Sequence, residues 1–337
     1  MSVDLNRLIE LVEAFPRQRI VLLGDLVADE FVYCDISRVS REAPVLILRH
    51  RETRLLPGGG ANAANNLADL GARVQPVGAV GDDARGDALL ECFRQKNMDV
   101  SGIVRVRRWS TPAKIRFLAG WTHTTSQQVL RVDEEPREPL PAAVGTALLG
   151  KARRRVPGAS AVLASDYGYG AVTPQRVKAL RARLITLDSR YALLDYLGTG
   201  VTAATPNEPE LEALYHTRIG QHFSRLCALA EQTRRRLKLQ ALLVTRGRDG
   251  MVVCEPRRKP QPIPIFGSDE AVDVTGAGDT VIAVFTLALA SGGTPLEAAH
   301  LANYAGGIVV MKRGTATVSR EELLAAVRSE LGGAARA

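Results

Sequence analysis

Ile20-Val21-Leu22-Leu23-Gly24-Asp25 is an unbroken apolar run that stops at a glycine and an acid. A run with no polar face reads as a central strand of a parallel sheet, covered on both sides, whose C-terminal end opens onto a site. Similar runs recur at residues 75–80, 161–164, 184–187 and 241–245, and helical patterns lie between them at 61–70, 87–96, 174–183 and 208–215. Strand and helix in alternation predict an α/β layer fold around a mostly parallel sheet. Two stretches break the rhythm. Residues 31–54 hold F-V-Y-C and V-L-I-L-R-H, and residues 103–132 hold I-V-R-V-R-R, A-K-I-R-F-L and Q-Q-V-L-R-V. Apolar and charged side chains alternate there, which predicts a half-exposed sheet, read as a small β lid inserted into the main domain.

The chain's 337 residues, 46% hydrophobic and 24% charged, have the proportions of a globular protein with a substantial core and exclude a disordered chain. The net charge of +8 suits nucleic acid, an anionic membrane surface or a phosphorylated small substrate. Aromatics make up only 5%, and the basic runs 153–155, 234–236 and 257–259 sit on polar helices or loops. Nucleic-acid platforms interleave aromatics with charge, so these runs read as solvated faces. The longest apolar runs, such as 281–290, fall far short of the roughly 20 residues that cross a bilayer. Residues 1–19 lack an apolar signal region, so a cytoplasmic address is expected, with neither membrane nor nucleic acid as partner. Cys34, Cys92, Cys227 and Cys254 form no C-x-x-C pair, which argues against a zinc knuckle or a disulfide framework.

Chemistry concentrates in Asp273-Val274-Thr275-Gly276-Ala277-Gly278-Asp279-Thr280, directly before the apolar run 281–290. Glycines ahead of a long helix let backbone N–H groups converge on one point, where the helix dipole also favours negative charge. Asp279 falls in the first turn beside this anion hole, placed to accept a hydroxyl proton. The plain alternative is a tight turn with a helix cap. A second glycine turn, Pro57-Gly58-Gly59-Gly60-Ala61-Asn62, also enters a helix, with Asn62 placed to meet a polyol. Gly81-Asp82-Asp83 follows the next strand. Asn207 and Glu210, three apart at a helix start, share a face fit for ordering a hydrated Mg²⁺ near phosphates. Thr245, Arg246 and Gly247, with Gly250, end another strand with small residues and one cation.

The order and spacing of these pieces resemble the ribokinase-like (PfkB) sugar kinases along nearly the whole chain. The resemblance implies a three-layer α/β/α fold with a small β lid and transfer of the ATP γ-phosphate to a sugar or nucleoside hydroxyl. Carried over, Asp279 matches the catalytic base, and Gly276, Ala277 and Gly278 the anion hole. Asn207 and Glu210 match the metal and phosphate motif, Thr245, Arg246 and Gly247 the strand end that meets ATP, and Asn303 the border of the adenine pocket. Asp273, Thr275, Arg313 and Ser319 mark where a monovalent cation such as K⁺ would sit. The resemblance also implies a homodimer through lid strands.

Within the family the sequence is most similar to the D-glycero-β-D-manno-heptose-7-phosphate kinases. The shared pieces are Gly24-Asp25 with Asp29, Ser37-Arg38-Val39-Ser40, Lys114-Ile115-Arg116, residues 127–133, Ser165-Asp166-Tyr167 and Lys312-Arg313-Gly314-Thr315. By similarity Asp29, Gly58, Gly59 and Asn62 would hold sugar hydroxyls. Arg38, Lys114 and Arg116 would bind the substrate's own phosphate through charge-assisted hydrogen bonds; a charged lid edge is the alternative for Arg38 and Lys114. Val27, Ala28 and Glu30 after the first Asp, Tyr169 in place of a Lys, and Asp188-Ser189-Arg190 for D-P-K depart from the pattern around the sugar. On this reading residues 1–337 form one kinase domain with its lid and no nucleotidyltransferase domain. A kinase for another sugar or a nucleoside is the neighbouring alternative; a nucleic-acid binder or a non-catalytic sugar sensor is the remote one.

Overall fold

In the computed structural model, which describes residues 3–121, 126–190, 192–268 and 270–334, the first apolar run is a strand, β1 (Arg19–Gly24). It pairs in parallel with β4 (Arg73–Val77) on one side and β9 (Ala161–Asp166) on the other. The parallel sheet continues through β10 (Ile185–Ser189), β11 (Ala203–Ala204) and β12 (Ala241–Thr245). Two antiparallel strands, β13 (Met251–Cys254) and β14 (Gln261–Ile263), complete the eight-stranded order β14-β13-β12-β11-β10-β9-β1-β4.

Successive side chains of β1 go to opposite faces, as the period of a strand requires. Ile20 and Leu22 join one core with Phe285, Leu301 and Leu323, while Val21 and Leu23 join a second core with Leu148, Val177 and Leu226. Helices therefore cover both faces, and the central strands must be apolar throughout. The run expected over 75–80 divides at Gly78, where an added Cβ would lie 2.6 Å from the Gly24 carbonyl oxygen. Beyond it, β5 (Ala79–Gly81) leaves the main sheet to pair with β6 (Val104–Val106).

A four-stranded sheet stands over the C-terminal end of β1: β2 (Leu26–Val39), β3 (Leu46–Gly59), β7 (Ala113–Gly120) and β8 (Gln127–Glu134), in the order β3-β2-β7-β8. Its strands start earlier and end later than the expected 31–54. The boundary at 103 also shifts, because the I-V-R-V-R-R piece pairs with β5 instead of entering this sheet. Every residue of β8 is exposed. No helix among the described residues is long and apolar enough to cross a membrane.

Candidate active site

The helix Ala277–Ala290 begins at Gly276, whose φ of +77° is the left-handed conformation that a side chain disfavours. An added Cβ there would lie 2.5 Å from Asn62 Nδ2 and 2.9 Å from Thr315 Cγ2. This close approach lets the helix N-terminus meet the second glycine turn. Asp279, in the first helical turn, is only 3% exposed. Tyr167 O–H donates to its Oδ1 at 2.8 Å and Asn62 Nδ2 to its Oδ2 at 3.0 Å. Burial pushes Asp279 up to about 6, while the Asn62 and Tyr167 bonds and the Lys114 ammonium pull it back. The group is therefore mostly ionised at neutral pH yet basic enough to take a proton.

Asn62 is fully buried, and its Nδ2 also reaches the Gly276 carbonyl at 3.3 Å. Its Oδ1 accepts from Asn66 Nδ2 at 3.1 Å. The amide expected to meet a polyol thus orients Asp279. Asp29 is 4% exposed on β2, and its carboxylate accepts from Arg116 Nη1 at 2.8 Å and Thr315 Oγ1 at 2.6 Å. A Cβ on Gly58 would lie 2.6 Å from that carboxyl carbon, so glycine is needed there. Arg116, expected at a substrate phosphate, is 7% exposed and neutralises Asp29. Arg38 sits nine residues beyond Asp29 on the same strand, about 30 Å along at ~3.3 Å per residue, at the exposed lid tip. The structure does not bring it to this site.

Two clefts meet beside Asp279. One, of about 370 Å³, is largely apolar and includes Met251, Val281, Asn303, Gly306 and Val310, with Gly247 and Gly250 at its mouth. Asn303 Nδ2 donates to the Pro264 carbonyl at 2.8 Å within its wall. The other, of about 270 Å³, is polar: Lys114, Arg131 and Arg190 face Asp166, Asp188, Asn207 and Glu210. Thr245 and Gly278 border both. Asn207 and Glu210 form a capping box at the helix Glu208–Leu214, so part of their pattern serves the helix start while both still line the polar cleft. Burial raises Glu210 to about 7 and Asp188 well above the usual carboxylate range; Asp279 and Glu210 add to the latter. Burial lowers Lys114.

Arg246 is absent from both clefts. Its guanidinium turns to Glu208 at 2.9 Å and lies over the Phe223 ring, 5.7 Å from its centroid. Asp273 accepts backbone N–H groups from Thr275 and Gly314, both at 2.9 Å, and so ties the glycine loop to the segment before Thr315. Ser319 caps the helix Arg320–Ala334 by exchange with Glu322. Among the described residues no three His, Cys, Asp or Glu side chains form a metal cage. The oxygens of Asp188, Asn207 and Glu210 still fit a hydrated Mg²⁺, which is held by one or two carboxylates plus substrate phosphates.

Three residues given no site role in the sequence reading serve the site: Tyr167 on Asp279, Asp188 in the polar cleft, and Asp25 behind the loop that carries Tyr167. Asp25 accepts backbone N–H groups from Tyr167, Tyr169 and Ala171 at 2.8–3.0 Å, and burial raises it to about 6. A usable signal was their position at the C-terminal ends of β9, β10 and β1, where open α/β sheets place ligands.

Residues 17–322 match the model of the pfkB family of carbohydrate kinases. The protein named bifunctional protein HldE from Hyphomonas neptunium is 37% identical over 96% of this chain, and that from Geobacter metallireducens 38% identical over 90%. The chain spans 66% and 62% of the length of these two relatives. Among solved structures, ribokinase of Arabidopsis thaliana complexed with ribose and ATP superposes with a TM-score of 0.71 at 21% identity, covering 92% of this chain and 98% of that one. Phosphofructokinase-2 of Escherichia coli in complex with substrates and products gives 0.74 at 18%, covering 93% and 99%. The fold is ribokinase-like. The chain belongs to the pfkB carbohydrate kinase family and is a phosphotransferase with an alcohol group as acceptor.

Proposed function

We propose that this protein transfers the γ-phosphate of ATP to D-glycero-β-D-manno-heptose 7-phosphate, giving the 1,7-bisphosphate. The observation that carries the transfer is the meeting of an apolar and a polar cleft at Gly278, next to the buried carboxylate of Asp279. The apolar cleft suits an adenine and the polar one its phosphates. Asp279 takes the proton of the acceptor hydroxyl while the N–H groups after Gly276 hold the charge that develops on the transferring group. A loose transition state asks the protein for positioning and charge stabilisation above all. Mg²⁺, ordered by Glu210, Asn207 and Asp188, would neutralise phosphate charge; K⁺, if used, would lie by Asp273, Thr275 and Ser319.

The choice of acceptor is supported by the heptose-kinase motifs and by the 37% identity with a protein named HldE. With Arg116 engaged by Asp29 and Arg38 distant, Lys114 in the polar cleft is the expected cation left to meet the substrate's own phosphate. A cavity of about 680 Å³ beside the lid strands, bordered by Arg51, Arg54 and Arg313 together with Glu52 and Asp273, offers further guanidinium groups, of which Arg51 is paired with Asp35 and Arg54 with Glu52. We read the whole chain as one kinase unit whose lid excludes water from the reaction. The exposed Val129, Leu130 and Val132 of β8 suit a homodimer through lid strands, which sedimentation would test.

Purified protein with ATP and Mg²⁺, offered heptose 7-phosphate, fructose 6-phosphate, ribose, fructose and nucleosides, tests the assignment. The expected result is a kcat/KM for heptose 7-phosphate about 100-fold or more above the others, the discrimination a site gains by pairing a substrate's polar groups. Preference for ribose, fructose or a nucleoside overturns it.

A further inference from the structure

We propose that Tyr167 is a positioning residue for Asp279: its phenol holds Oδ1 while Asn62 holds Oδ2, so the plane of the carboxylate is set before an acceptor hydroxyl arrives. The inference rests on the reading of Asp279 as the base. Its starting observation is the 2.8 Å bond from Tyr167 O–H to Asp279 Oδ1, made between groups 112 residues apart.

The surroundings over-determine where that phenol lies. Asp25, 2% exposed at the end of β1, is committed to three backbone N–H groups of the loop that carries Tyr167. Asp166 holds the same loop through Gly168 N–H at 3.0 Å, and is itself held by the hydroxyls of Ser189 and Tyr196 at 3.1 and 2.7 Å. One side of the ring lies against Gly59, where a Cβ would come within 3.2 Å of two ring carbons. The Lys114 ammonium lies 4.6 Å from the ring centroid. A tyrosine fixed by two buried carboxylates, a glycine and a cation contributes more than packing. Asn62 is locked in the same way by Asn66, so both donors to Asp279 are rigid.

The consequence is electrostatic as well as geometric. The charged groups facing Asp279 are Lys114 from β7, Asp29 from β2 and Asp188 from β10. Asp29 opposes its ionisation and Lys114 favours it, while Asp188 is itself pushed up by Asp279; the two hydrogen bonds favour ionisation of Asp279 further. Removing the phenol hydroxyl should make Asp279 harder to ionise and free it to rotate.

Tyr167→Phe keeps the ring and deletes the bond. We expect the midpoint of Asp279, followed by carboxyl ¹³C NMR in the free protein, to rise by about one unit. The acid limb of kcat should move up with it, and kcat at neutral pH should fall about tenfold from lost orientation, with KM for ATP unchanged. Difluorotyrosine at 167, a stronger donor, should move the midpoint down. The titration needs no sugar, and kcat is read with whichever acceptor the panel shows to be phosphorylated. Failure of the heptose assignment thus stays separate from failure here. An Asp279 midpoint that is the same in both variants, or a folded Tyr167→Phe protein with unchanged kcat and acid limb, overturns the proposal.

Discussion

Asp279→Asn separates what this carboxylate does for turnover from what its burial does to stability. Burial raises it to about 6, against about 3.9 in an unfolded chain, so the folded protein binds the extra proton in between. Stability from this group therefore falls as pH rises from about 4 to about 6 and is level above. Linkage makes the burden about 3 kcal/mol at pH 7.5 and about 1 kcal/mol at pH 4.5. Asparagine removes the burden at both, but its single Oδ1 can face only one of Tyr167 and Asn62, leaving a buried donor unpaired at about 1–3 kcal/mol. The two effects nearly cancel at pH 7.5. The variant should then match the wild type within about 2 kcal/mol at pH 7.5, and lose about 2 kcal/mol relative to it on going to pH 4.5. Turnover should fall by 10²-fold or more. Urea denaturation at the two pH values and a coupled ATPase-corrected kinase assay read both. Turnover within tenfold of wild type would refute the role as base, and a pH-independent stability difference would refute the burial argument.

Gly276→Ala places a Cβ 2.5 Å from Asn62 Nδ2 at a left-handed φ of +77°; we expect the strain of ~1–2 kcal/mol from the backbone to lower the thermal midpoint, and displacement of Asn62 to cut kcat at least tenfold. Arg116→Met leaves Asp29 buried without its ion pair and should destabilise by about 3–5 kcal/mol in denaturant titration, whereas Arg38→Ala at the lid tip should change stability by no more than ~0.5 kcal/mol. An equal loss in the two would contradict the placement of these arginines.

The layer architecture and the helix entry at Gly276 were legible because both are local. Period-2 burial, unbroken apolar runs and glycine φ preferences are properties of a few neighbouring residues, so β1, β12 and the helix Ala277–Ala290 could be read within a residue or two. The partition of the 75–80 run at Gly78 was not legible, since the close approach of Gly24 that forces it comes from a strand more than fifty residues away. Asn207 and Glu210 show a mixed case: their spacing marks a capping box and a cleft wall alike, and both occur.

Side-chain assignments diverged most where the question was which way a charged group turns. Residue type and order mark Asp279, Asp29, Lys114 and the glycine turns as the chemical centre, because anion holes and buried carboxylates need those types in those places. Which partner each group takes depends on what long-range packing brings within 3 Å. Arg116 was free in the sequence to meet a phosphate, yet the parallel pairing of β2 with β7 sets Lys114 opposite Asp29 and Arg116 two residues on, from where its guanidinium reaches the Asp29 carboxylate. Arg38 lies on the strand that carries Asp29, but the length of that strand carries it out to the lid tip. The phenol of Tyr167 reaches Asp279 from a loop that Asp25, at the end of the neighbouring strand, holds through its backbone N–H groups. Composition and local pattern thus settle the elements and the kind of chemistry, while the direction of each long polar side chain waits for the three-dimensional competition between burial cost and available partners.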